Sequence, residues 1–207
     1  MKTSSHYLFH SRNPFIAIAI MASAALFSGC HPNFHEVDPG KLYRSAQLSG
    51  EELDHAIHQL GIRTVINLRG EDLNSDWYKA EAQVTQTDGV KLINIAMSAK
   101  RLPHRNDLIA LLDAFEKAER PILVHCQAGA DRTGEASAIY EMEYMGKSRE
   151  EALEMLTLKY DHLELAAPAK RYFINLYGGK DWAYHTYDPC VQSYKYYDQQ
   201  KFCSSKN

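Results

Sequence analysis

Apolar and polar positions along the chain follow two rhythms. Short runs of β-branched and aliphatic residues recur between longer stretches with helical spacing. Thr64-Val65-Ile66-Asn67-Leu68-Arg69 predicts a strand, and Lys41–Gln47 and Lys91–Ala96 predict two more. Pro121-Ile122-Leu123-Val124-His125 is apolar on both faces, which predicts a central strand. Ser49 and Glu52 form a capping box that starts a helix running to about Leu60, and Gly61 ends it. A polar helix is predicted from about Ser75 to Thr87, closed by Asp88-Gly89. Pro103 opens a helix that lines up Leu108, Leu111, Leu112 and Phe115 on one face. A further helix runs from near Arg132 to just before Gly146. Ser148 and Glu151 cap the next, and Pro168 precedes another that ends at Gly178-Gly179. Strands alternating with helices predict a single α/β domain with a central, mostly parallel sheet flanked by helices.

The N-terminus breaks this rhythm. Lys2 and Arg12 are the only charges before residue 30, and an unbroken apolar and small-residue run lies between Phe15 and Phe27. As a helix this run would rise only ~20 Å, short of a ~30 Å hydrocarbon core. A basic start, a short apolar middle and small residues predict a secretory leader over residues 1–29. Phe27-Ser28-Gly29-Cys30 resembles a bacterial lipoprotein box, with Cys30 as the lipidated residue. The group usually has Leu where Phe27 stands, and Ala22-Ser23-Ala24 offers ordinary cleavage to a soluble product. Either route places the protein beyond the inner membrane, on a membrane face through the lipid or free in the periplasm. Residues 30–40, with two Pro, two His and little periodicity, predict a linker; residues 41–178 form the domain. Residues 179–207 form an aromatic-rich tail, predicted to pack over the domain surface.

Apolar residues make up 45% of the 207 and charged residues 24%, which excludes disordered and fibrous classes. The net charge of −3 becomes −5 once Lys2 and Arg12 leave with the leader, so no basic field favours nucleic acid. No dinucleotide or Walker loop occurs, and no cofactor is expected. His55 and His58 lie three apart on a helix without a further ligand and predict surface residues rather than a metal site. His162 sits beside Asp161 and near Glu164 in no recognisable motif.

The chemistry concentrates in residues 121–134. A buried strand delivers Cys126 to its C-terminal end, a short loop with Gly129 follows, and Arg132-Thr133-Gly134 opens a helix. Successive backbone N–H groups in such a turn, at a helix N-terminus, make an anion nest. The same field favours a thiolate, the reactive form of cysteine. Arg132 supplies a planar fork for two phosphoryl oxygens. Together these suit attack on a phosphate ester through a phosphocysteine.

His125-Cys126-x5-Arg132-Thr133-Gly134 resembles the signature of the cysteine-dependent protein tyrosine and dual-specificity phosphatases. The resemblance covers about Lys41 to Met155, with weaker flanking matches at Tyr43-Arg44-Ser45-Ala46-Gln47 and Val65-Ile66-Asn67-Leu68-Arg69. It implies a dual-specificity-phosphatase-like fold. It implies Cys126 as nucleophile, and Arg132 as the phosphate-binding and transition-state residue. Backbone amides of Gln127, Ala128, Gly129, Ala130, Asp131 and Arg132 would cradle phosphate. Thr133 would help the thiolate leave, and His125 would order the loop. A rhodanese also uses a cysteine loop but lacks the x5-Arg-Thr-Gly ending.

The family usually keeps a general-acid Asp on a mobile loop upstream of the cysteine. The corresponding window here, Asn94 to His104, holds no acid. Asp131, inside the signature loop, is the leading candidate, followed by Asp107 and His104. Asp131 could instead orient Arg132. The expected substrate is a phosphorylated protein, at tyrosine or serine/threonine, or a small phosphate ester. The alternatives are a phosphoinositide or inositol phosphate phosphatase, for which the basic run Lys100, Arg101, His104 and Arg105 could face the pocket, and a non-catalytic phosphate-binding module. Cys190 and Cys203 share the tail of an exported protein, where disulfides persist, and are expected to pair; two free thiols are the competing reading.

Overall fold

The computed structural model describes residues 33–203. The leader and Cys30 lie outside the described residues. Five strands order as β1 (His35–Asp38), β2 (Leu42–Ser45), β5 (Ile122–His125), β3 (Thr64–Asn67) and β4 (Lys91–Asn94) across one sheet. β2, β5, β3 and β4 run parallel; β1 is antiparallel to β2. β5 is central, and its four residues are all buried, as a strand covered on both faces requires.

Residues 30–40 were predicted as a linker, and the structure corrects this. His35–Asp38 pairs with β2, His35 opposite Arg44 and Glu36 opposite Tyr43. The strand is four residues long, polar at both ends and bent at the turn into β2, so it carries no apolar run to read. Its pairing comes from β2, whose free edge would otherwise expose unpaired backbone groups.

The helices form where the caps place them. α1 (Gly50–Leu60) carries the full Ser49–Glu52 capping box and stops at Gly61, whose φ of 65° suits a residue without Cβ. α2 (Asp76–Thr87) and α3 (Arg105–Lys117) follow; α3 buries Leu108, Leu111, Leu112 and Phe115 completely. Such burial contributes ~1.5–3 kcal/mol per side chain. α4 (Asp131–Tyr144) leaves the signature loop directly. The capped helix after it, α5 (Arg149–Ala152), is short and passes into 3₁₀ turns over Leu153–Leu156 and Leu158–Tyr160. α6 is Pro168–Leu176.

Strand alternation divides the core. Leu42, Ile66, Ile122 and Val124 join one cluster with α3, α4 and α6, while Val65 and Leu123 are buried on the opposite face. The tail packs on the domain as expected, but its first part belongs to the core itself. α7 (Lys180–His185) and the residues after it put Ala183 and Tyr187 in the main cluster, both fully buried. α8 (Gln199–Cys203) ends the described chain. Among the described residues no helix is long and apolar enough to cross a membrane.

Candidate active site

β2, β3 and β5 are parallel, so their C-terminal ends meet at one edge of the sheet, where ligands of such sheets bind. Cys126 is the first residue beyond β5 and is buried. Gly129, at φ 68°, turns the loop; a Cβ there would lie 2.6 Å from the Ala46 nitrogen, so only glycine lets the loop approach the end of β2. Gly134 plays the same role against the 3₁₀ turn: a Cβ would lie 2.7 Å from the Met155 carbonyl. The loop from Gln127 to Ala130 therefore sits between two backbones and leads straight into the N-terminus of α4, where unpaired N–H groups and the helix dipole favour an anion.

Two buried polar atoms at this loop have no hydrogen-bond partner among the described residues: Nε of Arg132 and Oγ1 of Thr133. Nη1 of Arg132 lies 3.4 Å from the Leu68 carbonyl at the end of β3. Three guanidinium groups gather here. Arg44, fully buried, donates to the Gly129 carbonyl at 2.6 Å and to the Met155 carbonyl at 3.1 Å. It also lies 4.1 Å from the centre of the Tyr160 ring. Burial pushes Arg44 down to about 10, opposed by the fields of Tyr160 and Cys126, so it remains a cation at neutral pH. Arg69 is lowered by burial and then by the neighbouring positive charge of Arg132, with Glu81 opposing. Its guanidinium stacks on Trp77, 3.4 Å from the ring centre.

A half-buried chain of polar groups joins the loop to its neighbours. Arg69 donates to Gln47 Oε1 (2.9 Å), and Gln47 Nε2 donates to Glu81 (2.7 Å). Nε2 of His125 lies 3.0 Å from the same Glu81 oxygen, both side chains buried. The Gln47 amide donates to the Gln127 carbonyl. Asn33, in the segment predicted as linker, donates to the carbonyls of Ala128 (3.1 Å) and Tyr160 (2.9 Å). Arg44, Gln47, Glu81 and Asn33 were not assigned roles from the sequence. Arg44, Gln47 and Arg69 lay within the flanking matches, which was the one signal available; Glu81 gave none, being one carboxylate on a polar helix.

The acid candidates separate. Asp131 stands at the start of α4, three-quarters buried, with Oδ1 2.8 Å from Nδ1 of the fully buried His162. His104 sits at the N-cap of α3, its Nδ1 2.7 Å from the Tyr197 hydroxyl and its ring edge-on to Phe202. Asp107, raised by burial and held down by His104, lies near the same tail residue, Tyr197. The basic run is spent on the tail and its surroundings. Arg101 stacks on Phe202, Arg105 donates to the Tyr184 carbonyl and Lys100 donates to the Ala166 carbonyl. Cys190 and Cys203 are joined, with Cα atoms 5.5 Å apart, and Cys126 is free. His58 shares the surface with Asp54 and Asp88 in a cluster whose ligand atoms lie within 4.8 Å of one another; Asp54 and His58 are exposed.

Fold and loop together define a phosphatase-type α/β domain, with a cysteine and an arginine at opposite ends of an anion-binding turn. The family described as DSP-PTPase phosphatase fused to NAD+ kinase matches residues 17–170, and the chain belongs to this family. It is 27% identical over 124 residues to the dual specificity protein phosphatase TpbA of Pseudomonas aeruginosa, a match covering 59% of this chain and 52% of TpbA. The chain thus spans about half the length of that curated relative. The crystal structure of P. aeruginosa TpbA in complex with pTyr matches at a TM-score of 0.58 and 22% identity, covering 73% of this chain and 88% of that one. The core catalytic domain of the PP-IP phosphatase SIW14 from S. cerevisiae matches at 0.59 and 21%, covering 74% and 90%. At these identities the two structures speak for the fold.

Proposed function

We propose that the protein hydrolyses phosphate monoesters of proteins, at phosphotyrosine or phosphoserine/threonine, through a phosphocysteine intermediate. One observation carries the reading. Cys126 lies buried at the mouth of a turn where, among the described residues, Arg132 Nε and Thr133 Oγ1 are buried without partners: the first is a donor for a phosphoryl oxygen, the second for the Cys126 sulfur. The Cys126 thiolate attacks phosphorus while the leaving oxygen takes a proton from Asp131. Water then attacks the phosphocysteine and gives its proton to Asp131, and the thiolate leaves with help from the Thr133 hydroxyl. Arg132 and the backbone amides hold the phosphoryl oxygens as charge redistributes, the electrostatic contribution that matters most in such steps.

A monophosphate is favoured over a polyphosphate because the loop carries Asp131 and no lysine, and the basic run Lys100–Arg105 is engaged by the tail and neighbouring carbonyls. The pTyr bound by TpbA, a family relative, supports a phosphotyrosine substrate. Cys126→Ser and Arg132→Ala are expected to abolish turnover of a phosphotyrosine peptide, with chelators without effect. Activity lost to a chelator and restored by a divalent ion would refute the mechanism; preference for inositol polyphosphates would refute the substrate class. Phosphopeptide binding without turnover would mark a binding module. The protein is further read as exported, for which the paired Cys190 and Cys203 speak, and as tethered by a lipid on Cys30. Labelled fatty acid should attach to the protein and be lost in Cys30→Ala.

A further inference from the structure

We propose that His162 is the positioning residue for Asp131, holding one carboxylate oxygen so that the other carries the travelling proton. The inference rests on Asp131 as proton donor, the reading given above.

His162 comes from a segment distant in sequence and delivered deliberately in space. The 3₁₀ turn at Leu158–Tyr160 ends on Asp161 in the left-handed region, at φ 59°, which reverses the chain before His162. The His162 amide then donates to the Thr157 carbonyl at 3.1 Å. The result is an imidazole with no exposed surface whose Nδ1 meets Asp131 Oδ1 at 2.8 Å. Nε2 is buried and has no partner among the described residues. A buried lone pair costs less than a buried unpaired N–H of an imidazolium, so the network assigns the neutral tautomer with its proton on Nδ1. Nδ1–H therefore donates to Oδ1, which leaves Oδ2 of Asp131, a side chain one-quarter exposed, for the proton.

A buried ion pair lies one turn further along α4. Glu135, one turn along α4, is fully buried against Lys170 of α6 at 2.8 Å. Lys170 also donates to the Arg101 carbonyl at 2.8 Å. A donor on a fixed helix end suits this fold for a second reason. The loop at 98–104 is stapled to the tail: Leu102 N–H to the Tyr196 carbonyl, Tyr187 hydroxyl to the Pro103 carbonyl, and His104 to Tyr197. A proton donor that cannot arrive by loop closure must be aimed where it stands, and His162 is the group in contact with its carboxylate.

When Asp131 gives its proton to the leaving oxygen, the carboxylate that forms already accepts a hydrogen bond from Nδ1–H. When water attacks, Oδ2 takes the proton back. His162 itself neither gains nor loses one.

The test compares a poor leaving group, phenyl phosphate, with p-nitrophenyl phosphate, which scarcely needs a proton. General acid catalysis contributes ~10²–10⁴-fold, and a misaimed acid should forfeit roughly tenfold or more of it. His162→Leu should lower kcat on phenyl phosphate by that amount with KM unchanged and leave p-nitrophenyl phosphate near wild type. His162→Asn, whose amide N–H can stand near Nδ1, should recover most of the loss. In an Asp131→Asn background, His162→Leu should add nothing. Equal losses on both substrates, full additivity with Asp131→Asn, or no loss on phenyl phosphate would overturn the role of His162. An Asp131→Asn variant insensitive to leaving group would instead sink the proton-donor reading, and this inference with it. Because His162 is buried, the wild-type protein gives an independent check: its Nδ1 proton should be a slowly exchanging downfield resonance that moves in Asp131→Asn. Absence of that resonance from folded wild type overturns the proposal without any His162 variant.

Discussion

The signature loop at 125–134 and the loop at 96–105 face the same sheet edge and are held by opposite means. The first is shaped by its own glycines and held by buried groups of the domain: Gly129 turns it against β2, Gly134 lets it meet the 3₁₀ turn, and Arg44 and Asn33 bond its carbonyls. The second has little internal structure and is held from outside. Tyr187, Tyr196, Tyr197 and Phe202 of the tail contact four of its residues, and the tail is closed on itself by the Cys190–Cys203 bond. The difference matters for chemistry. A loop fixed by a tail is free to lose its acid, and here the window from Asn94 to His104 has none.

The comparison breaks most visibly at Gly129. Gly129→Ala must place a Cβ against the Ser45–Ala46 backbone and keep φ positive, a strain of order 1–3 kcal/mol. Relief by shifting the loop about 1 Å should cost roughly 10²-fold in turnover. Steady-state kinetics on p-nitrophenyl phosphate would show it, and wild-type turnover in a folded variant would mean that the loop tolerates displacement.

A smaller effect is expected on the other side. Cys203→Ser opens the tail and should lower stability by about 3 kcal/mol in chemical denaturation. Turnover should hold, since the freed loop carries no acid. A large fall in turnover without unfolding would show that the clamped loop contributes to catalysis and that the two regions are coupled.

The smallest effect joins the two regions through the Glu135–Lys170 pair, which links α4 to the Arg101 carbonyl. Burial pushes the Glu135 carboxyl up to about 7, with Lys170 opposing. Its folded value lies above its unfolded one, so its contribution to stability is present below the ordinary carboxylate range and lost as pH rises through about 7. Thermal melts across pH 4 to 8 should show that decline, and it should vanish when Glu135→Leu and Lys170→Met are made together. A melting profile unchanged by the paired replacement would assign the decline to other groups.

What the sequence determined by itself was whatever depends on neighbours in the chain. Helix starts at Ser49 and Ser148 were legible because a capping box closes within four residues. β5 was legible because Ile122, Leu123 and Val124 run apolar on both faces, as a covered strand favours. The loop from His125 to Gly134 was legible because a cysteine at a strand end, a glycine turn and Arg132 opening a helix stand together in ten residues and resemble a family signature. Tertiary structure decided what depends on partners far along the chain. β1 is a strand only because β2 offers it an edge. Arg44 and Glu81 serve the loop across separations that no local pattern encodes, and the tail's first turn became core because Tyr187 could reach the Pro103 carbonyl. Asp131 and His162, thirty-one residues apart, meet because Gly134 allows the 3₁₀ segment to lie against α4 and a left-handed Asp161 turns the imidazole inward. Hydrogen bonds and ion pairs act over a few ångströms of space whatever the distance along the chain, so only the folded backbone decides which side chains share them.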